Sequence, residues 1–172
     1  NMEIITYVRK GAITHRDNLG NEGRTEAGDV QVMSAGAGIM HSEFNREDEL
    51  TRIFQIWIVP ETEGGEPRWD AMAFPKGDRA GDFVVLASGN PDRDGGLMIR
   101  QDARVLGATL TKGQSVTYPL AQDRQAYLVL AEGRAMVGGL ELDARDGAAI
   151  RDVGEITITA LDDTEIVLVE TN

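Results

Sequence analysis

The chain has 172 residues, no cysteine, two histidines and a formal net charge of −12. Without cysteine there are no disulfides, thiolate metal sites, iron–sulfur clusters or cysteine nucleophile, and any imidazole chemistry must use His15 or His41. The acidic balance opposes direct contact with nucleic acid or an anionic membrane, no run approaches the roughly 20 apolar residues of a membrane span, and no signal peptide is visible, so the expected location is the cytoplasm.

Strand signals dominate in chain order. Glu3–Arg9 alternates from the outset, although residue 1 is Asn rather than Met, as expected if residues upstream have been removed or left out. Asp29–Met33 alternates cleanly. Arg52–Val59 is apolar on both faces, which predicts an interior strand. Phe83–Ala87, Gln125–Leu130, Glu155–Ala160 and Glu165–Val169 follow the same pattern. Turn residues separate them at Asn18–Gly20, Gly36–Gly38, Asn90–Gly96, Gly138–Gly139 and Asp162–Asp163. Short helical turns are expected near Arg46–Leu50 and Trp69–Ala73.

Three prolines, Pro60, Pro67 and Pro75, with Gly64 and Gly65, mark a connector between two similar halves. Each half reads strand, glycine, strand, loop, then a glycine beside an aspartate and another strand. Gly11 and Gly28 hold these places in the first half, Gly133 and Gly147 in the second. A duplicated β unit of this order predicts an all-β chain of two tandem cupin barrels, or double-sheet jelly rolls. The expected division is an N-terminal cupin over residues 1–62, a connector over 63–79 and a C-terminal cupin over 80–172. The second half has no histidine and is expected to hold no metal.

The segment Gly36-Ala37-Gly38-Ile39-Met40-His41-Ser42-Glu43 is the richest in chemistry. On a strand, His41 and Glu43 project from one face and Ser42 from the other. An imidazole beside a carboxylate is half of a site for Fe(II), Mn(II) or Zn(II), although a His-x-Glu pair also occurs as a plain hydrogen-bonded couple. His15 is expected to face outward or to cap the loop beside Asp17. Gly36-x-Gly38 lacks the third glycine and the helix of a dinucleotide loop. The Asn90–Gly95 run lacks the glutamate that closes a calcium loop. No serine faces His41 to make a triad.

The runs EIITYV (3–8), HRDNLGN (15–21), GDVQVMSAGAGIMHSE (28–43), QIW (55–57) and DRDGGLMIRQD (92–102) resemble the pirin family, most closely its bacterial bicupins with quercetinase-like activity. The resemblance covers essentially the whole chain. It implies a metal-dependent dioxygenase that opens flavonols such as quercetin, with one divalent metal, commonly iron as Fe(II), in the N-terminal cupin. Three histidines and a glutamate hold that metal in the family. One histidine and the glutamate match His41 and Glu43, and Glu43 is also the natural base for the flavonol hydroxyl. The other two histidines come from a His-Pro-His motif directly before the strand that reads EIITYV here. The chain begins just after that place. The first barrel is therefore expected to be N-terminally truncated, to bind metal weakly or not at all, and to self-associate through its open side. The same resemblance leaves two other readings: a non-enzymatic, redox-sensitive regulatory partner, and an inactive or processed fragment.

Overall fold

The alternating segments become strands in the computed structural model, which describes residues 1–74 and 80–172. In chain order these are β1 (Glu3–Lys10), β2 (Ala12–Asp17), β3 (Glu22–Glu26), β4 (Val30–Ser34), β5 (His41–Phe44), β6 (Arg52–Ile58), β7 (Arg68–Met72), β8 (Val84–Ser88), β9 (Leu97–Met98), β10 (Ala103–Leu110), β11 (Ser115–Pro119), β12 (Gln125–Glu132), β13 (Ala135–Val137), β14 (Leu140–Leu142), β15 (Gly147–Ile150), β16 (Glu155–Ala160) and β17 (Thr164–Thr171). Among the described residues the helical element is α1 (Pro91–Asp94), between β8 and β9. The expected helical turns do not form: residues 47–49 are bends and Trp69 lies in β7. No helix among the described residues is long and apolar enough to cross a membrane.

Two compact units emerge: Asn1–Phe74 with Ala87–Asp102, and Pro75–Leu86 with Ala103–Asn172. Of the stretch 63–79 read as a connector, Arg68–Met72 is β7 of the first unit, and residues 75–79 lie outside the described ones. The first unit has a sheet ordered β6-β1-β4-β7 and another ordered β3-β2-β5. The second has β15-β12-β17-β10-β8 and β11-β16-β13-β14. The segment Arg52–Val59, expected as an interior strand, is instead the end strand β6, with Ile53 and Trp57 exposed.

The pairing shows the duplication directly. β1 pairs with β4 and β6 as β12 pairs with β15 and β17. β2 pairs with β3 and β5 as β13 pairs with β14 and β16. Both long strands bulge at the same point, between Val8 and Lys10 and between Leu130 and Glu132. Each then turns through a left-handed glycine, Gly11 (φ 68°) or Gly133 (φ 78°). A threonine hydroxyl closes each turn: Thr51 donates to the Ala12 carbonyl and Thr164 to the Arg134 carbonyl, 2.9 Å in both.

The interiors diverge. The second unit packs an aliphatic core from both of its sheets, including Leu128, Leu130, Val137, Leu142, Ile156, Ile158 and Leu168. Each such side chain contributes about 1.5–3 kcal/mol when fully buried. The first unit keeps Ile5, Val8, Val30 and Val32 buried but also buries Thr6, His15, Thr25 and Gln31. Buried polar groups cost stability unless they are paired, so the first barrel's interior is arranged around partners rather than volume.

Candidate metal centre

β2 and β5 run antiparallel with His15 opposite Glu43 and Asp17 opposite His41. Residues two apart on a strand share a face, and so do directly opposed residues. All four side chains therefore lie on one face of this ladder. His41 and Glu43 are together as expected. The outward orientation expected for His15 is not: its side chain is fully buried, and it does reach Asp17. His-x-Asp at 15–17 has the same spacing as His-x-Glu at 41–43, and that repeat was the available signal.

Aromatic stacking fixes the His15 ring. It lies 4.9 Å from the Trp69 ring at 9° on one side and 5.7 Å from the His41 ring at 17° on the other. Trp69 reaches this place because Gly23, the neighbour of His15 across β2 and β3, has no side chain; a Cβ there would collide with the indole. In the plane of the ring, His15 Nε2 bonds Asp17 Oδ2 at 3.1 Å. Asp17 also accepts from the backbone N–H groups of Leu19 (2.9 Å) and Asn21 (3.0 Å) and from Asn21 Nδ2 (2.8 Å). Burial opposes its charged form. The hydrogen bonds from the Asn21 side chain, from His15 and from those backbone N–H groups outweigh it and hold the carboxyl down to about 2. His15 Nδ1 is buried with no hydrogen-bond partner among the described residues.

Glu43 is held from the opposite sheet. Gln31 of β4 donates to its Oε1, and Gln55 of β6 donates to Oε2 at 3.1 Å. Both glutamines are register partners of Thr6 in β1, so a row Gln55–Thr6–Gln31 crosses three strands above the carboxylate. Nothing in their residue type marked them in the sequence; only the register gathers them. His41 is exposed beside a cavity of about 250 Å³ lined by Arg16, Asp17, Met40, His41 and Ser42.

The same positions in the second unit carry none of this chemistry. Following the ladders from the paired glycine turns, His15 corresponds to Val137, His41 to Ile156 and Glu43 to Ile158. Gln31 corresponds to Ala148 and Gln55 to Leu168. In one copy the barrel interior is a polar site; in the other it is core.

The imidazole of His41 and the carboxylate of Glu43 form a donor set that suits a divalent metal ion, and the carboxylate is already oriented by two amides. Among the described residues no group of three or more His, Cys, Asp or Glu is placed to hold a metal ion. The pair therefore fits a metal as two of its donors, with the remaining coordination positions open.

Fold and site together define a bicupin with one polar barrel and one apolar barrel. The chain belongs to the pirin family: residues 1–58 match the pirin model and residues 85–171 match the quercetinase C-terminal cupin domain. It is 64% identical over 169 residues to a pirin-like protein of Caulobacter vibrioides, covering 98% of this chain and 73% of that one. It is 37% identical to a quercetin 2,3-dioxygenase of Escherichia coli K12, covering 97% and 71%. The crystal structure of YhhW from Escherichia coli superposes with a TM-score of 0.92 at 34% identity, covering 99% of this chain and 72% of that one. YhhW has also been crystallised in complex with nickel(II), with a TM-score of 0.90 to this chain at 34% identity and the same coverage.

Proposed function

We propose that the first barrel is the divalent-metal site of a dioxygenase acting on flavonols such as quercetin, with His41 and Glu43 as metal ligands and Fe(II) as the working metal. The observation that carries this is the contrast between the copies: His15, His41, Glu43, Gln31 and Gln55 stand where the second barrel has Val137, Ile156, Ile158, Ala148 and Leu168. The relative named quercetin 2,3-dioxygenase and the nickel complex of YhhW support the reading.

When bound, the metal supplies Lewis acidity and a common meeting point for the flavonol oxygens and O2. The remaining work falls to side chains. Glu43 accepts the flavonol hydroxyl proton on a carboxylate oxygen, within reach because the carboxylate lies beside the substrate oxygen. The His15 ring backs the His41 ring and fixes its plane. Trp57, 64% exposed and bonded through its indole N–H to Gln55, offers a flat apolar face beside Glu43 on which an aromatic substrate can lie.

The edge strand β6, with Ile53 and Trp57 exposed, is the surface through which the chain self-associates in our reading.

The test is quercetin consumption and metal content after supplying Fe(II), on this chain and on one carrying His-Pro-His ahead of Asn1. The extended chain should bind iron stoichiometrically and consume quercetin. No turnover by an iron-loaded extended chain would remove the flavonol dioxygenase reading.

A further inference from the structure

The chain has two tryptophans, and both donate into the network that ends on Glu43. Trp69 Nε1–H donates to Gln31 Oε1 at 3.4 Å, and Trp57 Nε1–H donates to Gln55 Oε1 at 3.0 Å. From the other end of each amide, Gln31 Nε2 donates to Glu43 Oε1 and Gln55 Nε2 to Glu43 Oε2. An indole N–H is a donor only. Each amide oxygen must therefore face its indole, and each amide NH2 must face the carboxylate. The Thr25 hydroxyl adds a second donor to the Gln31 oxygen at 3.1 Å. Turning either amide round would set its NH2 against an indole N–H and its oxygen against a carboxylate, losing two hydrogen bonds and adding two repulsions.

We propose that Gln31 and Gln55 are positioning residues for Glu43, and that Trp69 and Trp57 act one step further out by fixing the direction of those amides. The proposal rests on the reading of Glu43 as the metal-facing carboxylate. Two relays, one per oxygen, arrive from β4 and β6 on either side of β1, so the carboxylate plane is held at both ends. A carboxylate has about four lone-pair sites. The relays occupy one on each oxygen and leave one on each for a metal or a substrate proton. The corresponding positions in the second unit, Ala148 for Gln31 and Leu168 for Gln55, can support no relay, which fits Ile158 standing in place of Glu43.

The experiment uses the 172-residue chain and Trp→Phe variants, which keep an aromatic ring and delete the N–H. Trp57 is exposed, so Trp57→Phe should fold normally even if Trp69→Phe, next to Gly23 and His15, does not. Two quantities are read. One is the side-chain amide resonances of Gln31 and Gln55 in 1H–15N spectra of the metal-free protein. The other is the affinity for Ni(II), followed by paramagnetic broadening of the same resonances. Trp57→Phe should move the Gln55 amide pair toward the position of a free amide and weaken Ni(II) binding about 10-fold, as loss of an outer partner of a metal ligand does. Trp69→Phe should do the same through Gln31. An unchanged Gln55 amide in Trp57→Phe overturns the relay. A shifted amide with Ni(II) affinity within about two-fold of wild type overturns its positioning role. If Ni(II) broadens nothing in the 172-residue chain, the affinities are read on the same variants carrying His-Pro-His ahead of Asn1; no broadening there removes the metal reading of Glu43, and the metal-free amide shifts still decide the relay.

Discussion

Glu43 and Ile158 occupy the same position in two copies of one strand: Glu43 lies opposite His15 across β2 and β5, and Ile158 lies opposite Val137 across β13 and β16. One barrel spends this position on chemistry and the other on packing. Ile158→Ala should therefore cost about 2–5 kcal/mol, the range for truncating a fully buried aliphatic side chain. Glu43→Ala, at a half-buried position facing the site, should cost less than about 1 kcal/mol. Urea unfolding of the two variants checks this, and equal losses would contradict the division of labour.

Gly23→Ala should act at a distance. Its methyl group would displace the Trp69 indole from the His15 ring and open the stack that ends on His41. Overpacking of this kind costs about 1–3 kcal/mol. The indole N–H resonance of Trp69 should shift while that of Trp57 stays in place.

Asp17 gives the site a defined acid limit. Its folded-state pKa of about 2 lies below the ordinary 3.8. A depressed carboxylate contributes stability that is fully present above its unfolded pKa and is lost as pH falls through the folded one. The wild type should lose stability between about pH 4 and pH 2 more steeply than Asp17→Asn, which lacks this titration. Urea midpoints across that range, compared between the two proteins, provide the measurement.

If β6 is the self-association surface, placing a charge on it should keep the protein monomeric, because inward or edge charges block strand addition. Sedimentation velocity should show concentration-dependent association of the wild type and little of Ile53→Lys. Identical behaviour of the two would place the contact elsewhere.

Much of this architecture is legible in the residues. Period-two alternation marks β1, β4, β12, β16 and β17, and the repeated strand–glycine–strand order marks the duplication. His41 and Glu43 follow from the same period. β3 and β7 are not legible, because EGRTE and RWDAM carry no apolar alternation; their inward residues are Thr25 and Trp69, which serve the site rather than a core. β6 reads as interior because Ile53 and Trp57 are apolar, yet both are exposed on the edge strand, on the same face as Gln55. Gln31 and Gln55 lie 24 residues apart in sequence and meet only through the register of β1, which a linear pattern does not contain.

The most direct test of the account is Glu43→Gln in the chain carrying His-Pro-His ahead of Asn1, with bound iron and quercetin turnover measured on the same samples. An amide oxygen can still ligate weakly, but the side chain can no longer take the substrate proton. Turnover should fall by about 100-fold or more, the range for loss of a general base, while iron content falls far less. Equal losses of iron and turnover would reduce Glu43 to a ligand, and unchanged turnover would remove it from the chemistry altogether.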